Sequence, residues 1–181
     1  MRISEGSQVK NIKLPNLDGE QFNLESLQGK KFLITFFRFA GCPFCNLRVN
    51  QLIQKKASLG DDFHIVGIFD ASLKNLQKNL SKHNAPFTLL SDEKNEAYKI
   101  YGIERSIFGV IKGMVFSFPQ MLYSMFIKGN FLTNIGGNML TMPASFLVNE
   151  QGVIETVYYG KDEFDHISFE QVLAFAKGKT I

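Results

Sequence analysis

The sequence lacks most of the patterns by which proteins bind nucleotides, metals or nucleic acids. It contains neither a G-x-G-x-x-G nor a P-loop, and its two cysteines and three histidines provide no second C-x-x-C and no H-x-x-x-H that could complete a zinc site. We therefore expect no cofactor and no metal. The net charge is only +3 and the basic residues are scattered in pairs, so no nucleic-acid partner is expected.

Export and membrane signals are missing as well. Residues 1–14 contain no apolar h-region, so the sequence predicts no secretory signal and a cytoplasmic location, where a lone cysteine pair is more often catalytic than structural. The longest apolar segment, residues 107–128, is interrupted by Lys112, Pro119 and two glycines, so we expect no membrane span. Tryptophan is absent, but 45% of the residues are hydrophobic, which is enough for a single domain over residues 1–181.

What the sequence does contain is one C-x-x-C motif shortly after an apolar segment. Phe32 to Phe37 are rich in aromatic and β-branched side chains, which predicts a strand buried on both faces. A helical pattern begins within Cys42-Pro43-Phe44-Cys45, and proline suits the first position of a helix. The sequence therefore places its two cysteines where a core strand turns into a helix.

This placement favours redox chemistry of the cysteine pair. The free N–H groups and the dipole at a helix N-terminus stabilise a thiolate, which is the nucleophilic form of cysteine. The three-residue spacing brings the two sulfurs to one side of the helix, so one can attack an oxidised substrate and the other can resolve the adduct. Two structural thiols, half of a zinc site and a structural disulfide are the alternatives. They explain the placement less well, because structural thiols need no helix N-terminus and zinc needs two further ligands.

The remaining segments alternate between strand and helix patterns. The predicted elements are an N-terminal β-hairpin within residues 9–24, the strand at 32–37, a helix to about 59, a strand at 63–69, a helix capped by Ser72, a strand at 87–90, a helix from 92 to about 101, a β-hairpin at 144–158 and a last helix capped by Ser168. This order predicts an α/β fold with right-handed crossovers, in which the strand at 32–37 has parallel neighbours and the C-terminal hairpin lies on one side.

Residues 104–141 depart from this alternation and are rich in phenylalanine. They predict a helical insertion, kinked at Pro119, whose first interpretation is a helix or helix pair that packs on the core. For the helical segment at residues 107–128, a dimer interface and a cap over the cysteines are the alternatives. Binding to a membrane surface is the least favoured interpretation, because the few charges make no basic face.

Taken together, these motifs resemble the alkyl hydroperoxide reductase/thiol-specific antioxidant (AhpC/TSA) group of the thioredoxin-like superfamily, especially its peroxiredoxin-like members with a C-x-x-C. The matching motifs are Leu27-Gln28-Gly29-Lys30 at the end of the N-terminal hairpin, Phe37-Arg38 with Gly41-Cys42-Pro43-Phe44-Cys45 at the active-site strand and helix, and Met142-Pro143 before the C-terminal hairpin. The resemblance covers nearly the whole chain. It implies a thioredoxin-like fold, with a central mixed β-sheet flanked by helices.

Two positions depart from the pattern of this family. Typical members have threonine or serine three residues before the peroxide-attacking cysteine, where this sequence has Cys42, and an arginine where it has Pro143. Arg38 or Arg48 could supply the missing charge, which holds the thiolate and polarises the peroxide. A proline at this site is similar to thioredoxins, which implies a cis Met142–Pro143 bond beside the cysteines, with the adjacent backbone offered to a substrate strand.

The resemblance implies a thiol-dependent oxidoreductase, either a peroxiredoxin-like antioxidant or a thiol-disulfide oxidoreductase. Cys42 and Cys45 would be catalytic, Pro143 and Arg38 would position a peroxide or disulfide substrate, and an external thiol reductant such as a thioredoxin-like protein would restore the dithiol. A homodimer is an open alternative to a monomer. The competing hypothesis is a non-catalytic thioredoxin-fold module that binds a partner. His166 is expected at the surface or at a helix cap, with no catalytic part.

The sequence leaves open which sulfur attacks. The helix argument favours Cys42, which is expected at the helix start and as the more exposed thiol. The position of the peroxide-attacking cysteine in the family favours Cys45. Because the family's arginine is missing at Pro143, the prediction leans slightly to Cys42.

Overall fold

The computed structural model, which describes residues 2–116, 119, 122–127 and 136–179, places the strand before the cysteines in the middle of a five-stranded sheet. The strands are β1 (Lys13–Pro15), β2 (Gln21–Asn23), β3 (Phe32–Phe37), β4 (His64–Phe69), β5 (Thr88–Ser91), β6 (Ala144–Val148) and β7 (Ile154–Tyr159). The helices are α1 (Pro43–Leu59), α2 (Leu73–Leu80), α3 (Glu96–Ile100), α4 (Ile107–Phe116) and α5 (Phe169–Ala176), with a π-helical segment at Tyr123–Ile127 and 3-10 turns at Leu24–Leu27 and Ser81–His83.

The sheet has the order β5-β4-β3-β6-β7 and is mixed, as predicted. β3, β4 and β5 are parallel, and β1 and β2 form the expected N-terminal hairpin. The prediction that β3 has parallel neighbours is wrong on one side, because β6 runs antiparallel to it. The chain re-enters the sheet at the C-terminal end of β3, where Ala144 pairs with Phe36, so the strand that starts there must run in the opposite direction.

β3 is buried on both faces because its side chains alternate between two apolar clusters. Leu33 and Phe37 belong to the cluster that contains residues of α1, α2 and α5 together with both cysteines. Phe32, Ile34 and Phe36 belong to the other cluster, which contains residues of the N-terminal hairpin and of α3. The alternation of a strand thus puts the cysteine pair in one of the two halves of the core.

The described part of the predicted insertion is helical but only partly packed. Val110 of α4 is buried, whereas Ile107, Phe108 and Ile111 are 60%, 86% and 56% exposed. The kink predicted at Pro119 falls among residues that are mostly outside the described part of the chain. Among the described helices, none combines the length and the apolar character that crossing a membrane requires.

Candidate active site

The C-x-x-C motif forms the start of α1, as the sequence predicts. Cys42 is the N-cap residue with an extended backbone, Pro43 is the first helical residue, and both cysteines are free thiols. The expectation that Cys42 is the more exposed thiol is wrong, because each cysteine is only 1% exposed. The neighbouring side chains of Phe39 and Phe44 are buried in the same apolar cluster and help to cover the pair.

Arg38 brings a positive charge to the cysteine pair. It follows β3 directly, is 4% exposed, and its Nη1 lies 3.9 Å from the sulfur of Cys42. Its Nη2 donates a hydrogen bond to the carbonyl oxygen of Met139. Arg48 was the other candidate for the missing positive charge, but its side chain donates a hydrogen bond to the carbonyl oxygen of Ile167 at 2.7 Å. Arg38 is therefore the arginine beside the thiol of Cys42.

Residues 136–142, which we call the covering segment, lie over this part of the core. The carboxylate of Asp70, just after β4, accepts hydrogen bonds from the backbone N–H of Asn138 at 3.1 Å and from the hydroxyl of Thr141 at 3.0 Å. The side chain of Met139 packs against the cluster that contains both cysteines, and its carbonyl is held by Arg38. The loop that follows the helical part of the insertion thus contacts the cluster of the cysteines, while the cap that the sequence analysis names as an alternative for residues 107–128 stays a prediction.

We expect the substitution Gly137→Ala to displace the covering segment. A methyl group at Gly137 would collide with the backbone carbonyl of Asp70 and would lie 2.9 Å from Cβ of Phe39. The variant should lose roughly 1–3 kcal/mol of unfolding free energy, and its thiols should react faster with a bulky aromatic disulfide reagent. Reaction of both proteins in denaturant is the control. An unchanged reaction rate of the folded variant would show that this segment does not shield the dithiol.

The two thiols have opposite shifts of their pKa values. For Cys42, burial opposes ionisation, but the hydrogen bond from the Cys45 thiol, the charge of Arg38 and the backbone N–H groups of Phe44 and Cys45 outweigh it and lower the pKa to about 7. For Cys45, burial and the neighbouring sulfur of Cys42 raise the pKa well above its usual value. At neutral pH the site therefore holds its thiolate on Cys42, with the Cys45 thiol as hydrogen-bond donor.

The predicted cis Met142–Pro143 bond is wrong, since no peptide bond of the described residues is cis. The backbone here is also engaged inside the molecule. The N–H of Met142 donates to the carbonyl of Glu104 at 3.0 Å, and the carbonyl of Pro143 accepts from the N–H of Gly160 at 2.8 Å. These groups are thus not offered to an extended substrate strand, and a part for Pro143 in substrate positioning stays a prediction.

Two residues near the dithiol differ from the sequence analysis, which did not name Glu163 and gave His166 another position. Glu163 is 1% exposed, and Arg38 acts on it electrostatically. The expectation of a surface or capping position for His166 is wrong: both of its ring nitrogens are buried, and its ring lies 5.7 Å from that of Phe37. Burial, with a smaller effect of Arg48, lowers the pKa of His166 to about 3. Glu163 stands in no motif. Asp165-His166-Ile167 resembles a short motif of the peroxiredoxin-like group, but this resemblance does not indicate that His166 is buried.

The fold and the site define a protein of thioredoxin-like architecture with two free thiols at the start of a helix. The model of the AhpC/TSA family matches residues 6–157, so the chain belongs to this family. It is 29% identical over 159 residues to the putative peroxiredoxin bcp of Coxiella burnetii, with 87% of this chain and 89% of that protein covered. It is 33% identical over 114 residues to peroxiredoxin Bcp of Escherichia coli K12, with 59% and 70% covered.

Other relatives are matched over a smaller share of their length. The chain is 28% identical over 115 residues to the chloroplastic peroxiredoxin Q of Triticum aestivum, and this match covers 62% of the chain but only 52% of the relative.

Among solved structures, peroxidoxin BcpB from Mycobacterium tuberculosis superposes with a TM-score of 0.72 at 15% identity, covering 99% and 100% of the two chains. A putative thiol:disulfide interchange protein DsbE from Chlorobium tepidum reaches 0.62 at 21% identity, with 96% and 98% covered. At these identities the structures establish the fold.

Proposed function

We propose that this protein reduces hydroperoxides with the thiolate of Cys42. The sulfur attacks the O–O bond, takes up one oxygen as a sulfenic acid and releases the other as an alkoxide or hydroxide, which becomes an alcohol or water when it is protonated. The thiol of Cys45 then attacks the sulfenic sulfur, so a Cys42–Cys45 disulfide forms and water leaves. An external thiol reductant, for which a thioredoxin-like protein is our proposal, restores both thiols.

The observation that carries this proposal is the burial of a low-pKa thiolate beside Arg38. With Cys42 only 1% exposed and the covering segment above it, a small hydroperoxide has far easier access than a disulfide on the surface of another protein. The positive charge 3.9 Å from the sulfur favours both the thiolate and the negative charge that develops on the departing oxygen. The relatives that carry the name peroxiredoxin support the same reaction.

The proposed reaction also bears on the cellular compartment and the oligomeric state of the protein. A dithiol that must be reduced after each cycle suits a compartment that supplies reduced thiols, and we infer the cytoplasm. A homodimer also stays a proposal, and the exposed apolar side chains of α4 are the surface that it would bury.

The test is a side-by-side turnover assay of the whole chain with a thiol-reducing system, using hydrogen peroxide, an alkyl hydroperoxide and a protein disulfide as substrates. We expect turnover of the hydroperoxides and little reduction of the protein disulfide. Preferential reduction of the protein disulfide would make the protein a disulfide reductase. Absence of any turnover would favour the non-catalytic partner-binding module.

A further inference from the structure

Polar atoms without hydrogen-bond partners are concentrated near the dithiol. In the described part of the chain, the buried side-chain nitrogen and oxygen atoms that lack a partner are Nε of Arg38, Oε2 of Glu163 and both ring nitrogens of His166. Buried polar atoms are nearly always satisfied, so each exception calls for an explanation. Arg38 contacts the sulfur of Cys42, and we ask what the two residues of the loop after β7 contribute to the same chemistry.

Glu163 is within electrostatic range of the charge that faces Cys42. Its carboxyl group is buried, and its electrostatic interaction with Arg38 places it near the guanidinium. The next residue, Phe164, packs edge-on against Phe44 of the C-x-x-C motif, with 5.4 Å between the ring centres. The loop is thus fixed against the cysteine motif, and Oε2 of the buried Glu163 has no hydrogen-bond partner.

We propose that Glu163 is the proton donor for the departing oxygen of the hydroperoxide. This proposal rests on the peroxidase function proposed above. When the thiolate of Cys42 takes one peroxide oxygen, the O–O electron pair goes to the other oxygen. The proton on Oε2 of Glu163 passes to that oxygen, which leaves an alcohol or water and a carboxylate. The carboxylate recovers its proton from solvent before the next cycle.

The protonation state that this role needs is consistent with the surroundings of Glu163. Burial raises the pKa of its carboxyl group, Arg38 and the backbone N–H of Glu163 itself oppose this rise, and the neighbouring carboxylate of Asp162 adds to it. A buried carboxyl group with a raised pKa keeps its proton to higher pH than an ordinary glutamic acid, which favours its action as a general acid.

The other polar groups near the dithiol are poorer proton donors. An arginine side chain does not release its proton in proteins, which excludes Arg38. His166 is a neutral imidazole at pH 7, because its pKa is about 3. The thiol of Cys45 has a raised pKa and donates its hydrogen bond to Cys42. The hydroxyl of Tyr98 is directed at the carbonyl oxygens of Phe37 and Ile68.

The experiment compares two classes of peroxide in the Glu163→Gln variant of the whole chain. Hydrogen peroxide and alkyl hydroperoxides release a strongly basic oxygen that needs a proton, whereas a peroxy acid releases a weakly basic carboxylate that does not. We expect the variant to reduce the first class roughly 100-fold more slowly and the peroxy acid at nearly the wild-type rate. Glu93→Gln, the same change at an exposed glutamate, is the matched control and should not alter either rate.

The rates with the two classes of peroxide and the pKa of Cys42 in the variant together distinguish a loss of proton donation from other causes. Equal loss of rate with both classes of peroxide would overturn the role of Glu163 as proton donor. So would a raised pKa of Cys42 in the variant, followed through thiolate absorbance near 240 nm, since the loss would then act through the thiol. If the wild-type protein reduces neither class, the proposed peroxidase function itself fails.

Discussion

Replacing Cys42 by serine is expected to abolish hydroperoxide turnover, with a loss of about three orders of magnitude or more. Cys42 is the sulfur whose pKa is lowered to about 7, and it is the one that Arg38 contacts. A serine hydroxyl at the same N-cap position stays protonated at neutral pH and is a much weaker nucleophile. The measurement is steady-state peroxide consumption with a thiol-reducing system.

Cys45→Ser is the matched control for this variant. It keeps the attacking sulfur of Cys42 but removes the resolving thiol, so we expect one oxidation event and then a halt, with a sulfenic acid on Cys42 that a dimedone-type reagent traps. Mass spectrometry of the labelled peptide identifies the modified residue. Rapid formation of a sulfenic acid on Cys45 in the Cys42→Ser variant would reverse the assignment and place the attacking sulfur at the position typical of the family.

The features that the sequence predicted correctly are local in the chain. The apolar pattern of β3, Pro43 at the start of α1 and the capping serines Ser72 and Ser168 each act within a few residues of their own position. Such patterns specify where strands and helices begin and end. They were therefore sufficient for the order of strands and helices and for a C-x-x-C motif at a helix N-terminus, whereas the mixed sheet was implied by the family resemblance.

The features that were missed or wrong depend on contacts between distant parts of the chain. Arg38 and Met139 are 101 positions apart, and Asp70 and Thr141 are 71 apart, so nothing local indicated that the covering segment closes over the dithiol. Glu163 follows two charged residues, a pattern that is typical of the protein surface. Only the packing of the loop after β7 shows that Glu163 is buried. Long-range packing of this kind leaves no periodic trace in a single sequence.

The prediction that the backbone at Met142–Pro143 is free for a substrate strand failed for a related reason. A proline before a strand fits the thioredoxin pattern equally well whether or not its neighbours are already bonded inside the protein. Here Glu104 and Gly160 take those backbone groups, and both partners lie more than ten residues away. The electrostatic support that the family derives from an arginine at this position is instead proposed for Arg38, which comes from the end of β3.

Replacing Arg38 by methionine is accordingly expected to slow peroxide reduction about 100-fold at pH 7. The charge of Arg38 is one of the causes that lower the pKa of Cys42 to about 7, so its removal raises that pKa. About half of Cys42 is thiolate at pH 7 in the wild type, but only a few per cent of a thiol with an ordinary pKa of roughly 8.5 is ionised there. The thiolate fraction is read from absorbance near 240 nm as a function of pH.

The pH dependence separates this effect from simple damage to the fold. Because the variant thiol ionises at higher pH, its rate should recover partly as the pH rises from 7 toward 9. The wild-type rate should rise only about twofold over that range, because about half of Cys42 is already ionised at pH 7. Arg48→Met is the matched control: it removes the other arginine of this region, which bonds to Ile167 and does not contact the sulfur of Cys42, and should leave the ionisation of Cys42 unchanged. A defect in the Arg38 variant that is equally large at both pH values would mean that the guanidinium acts on the departing oxygen rather than on the thiolate.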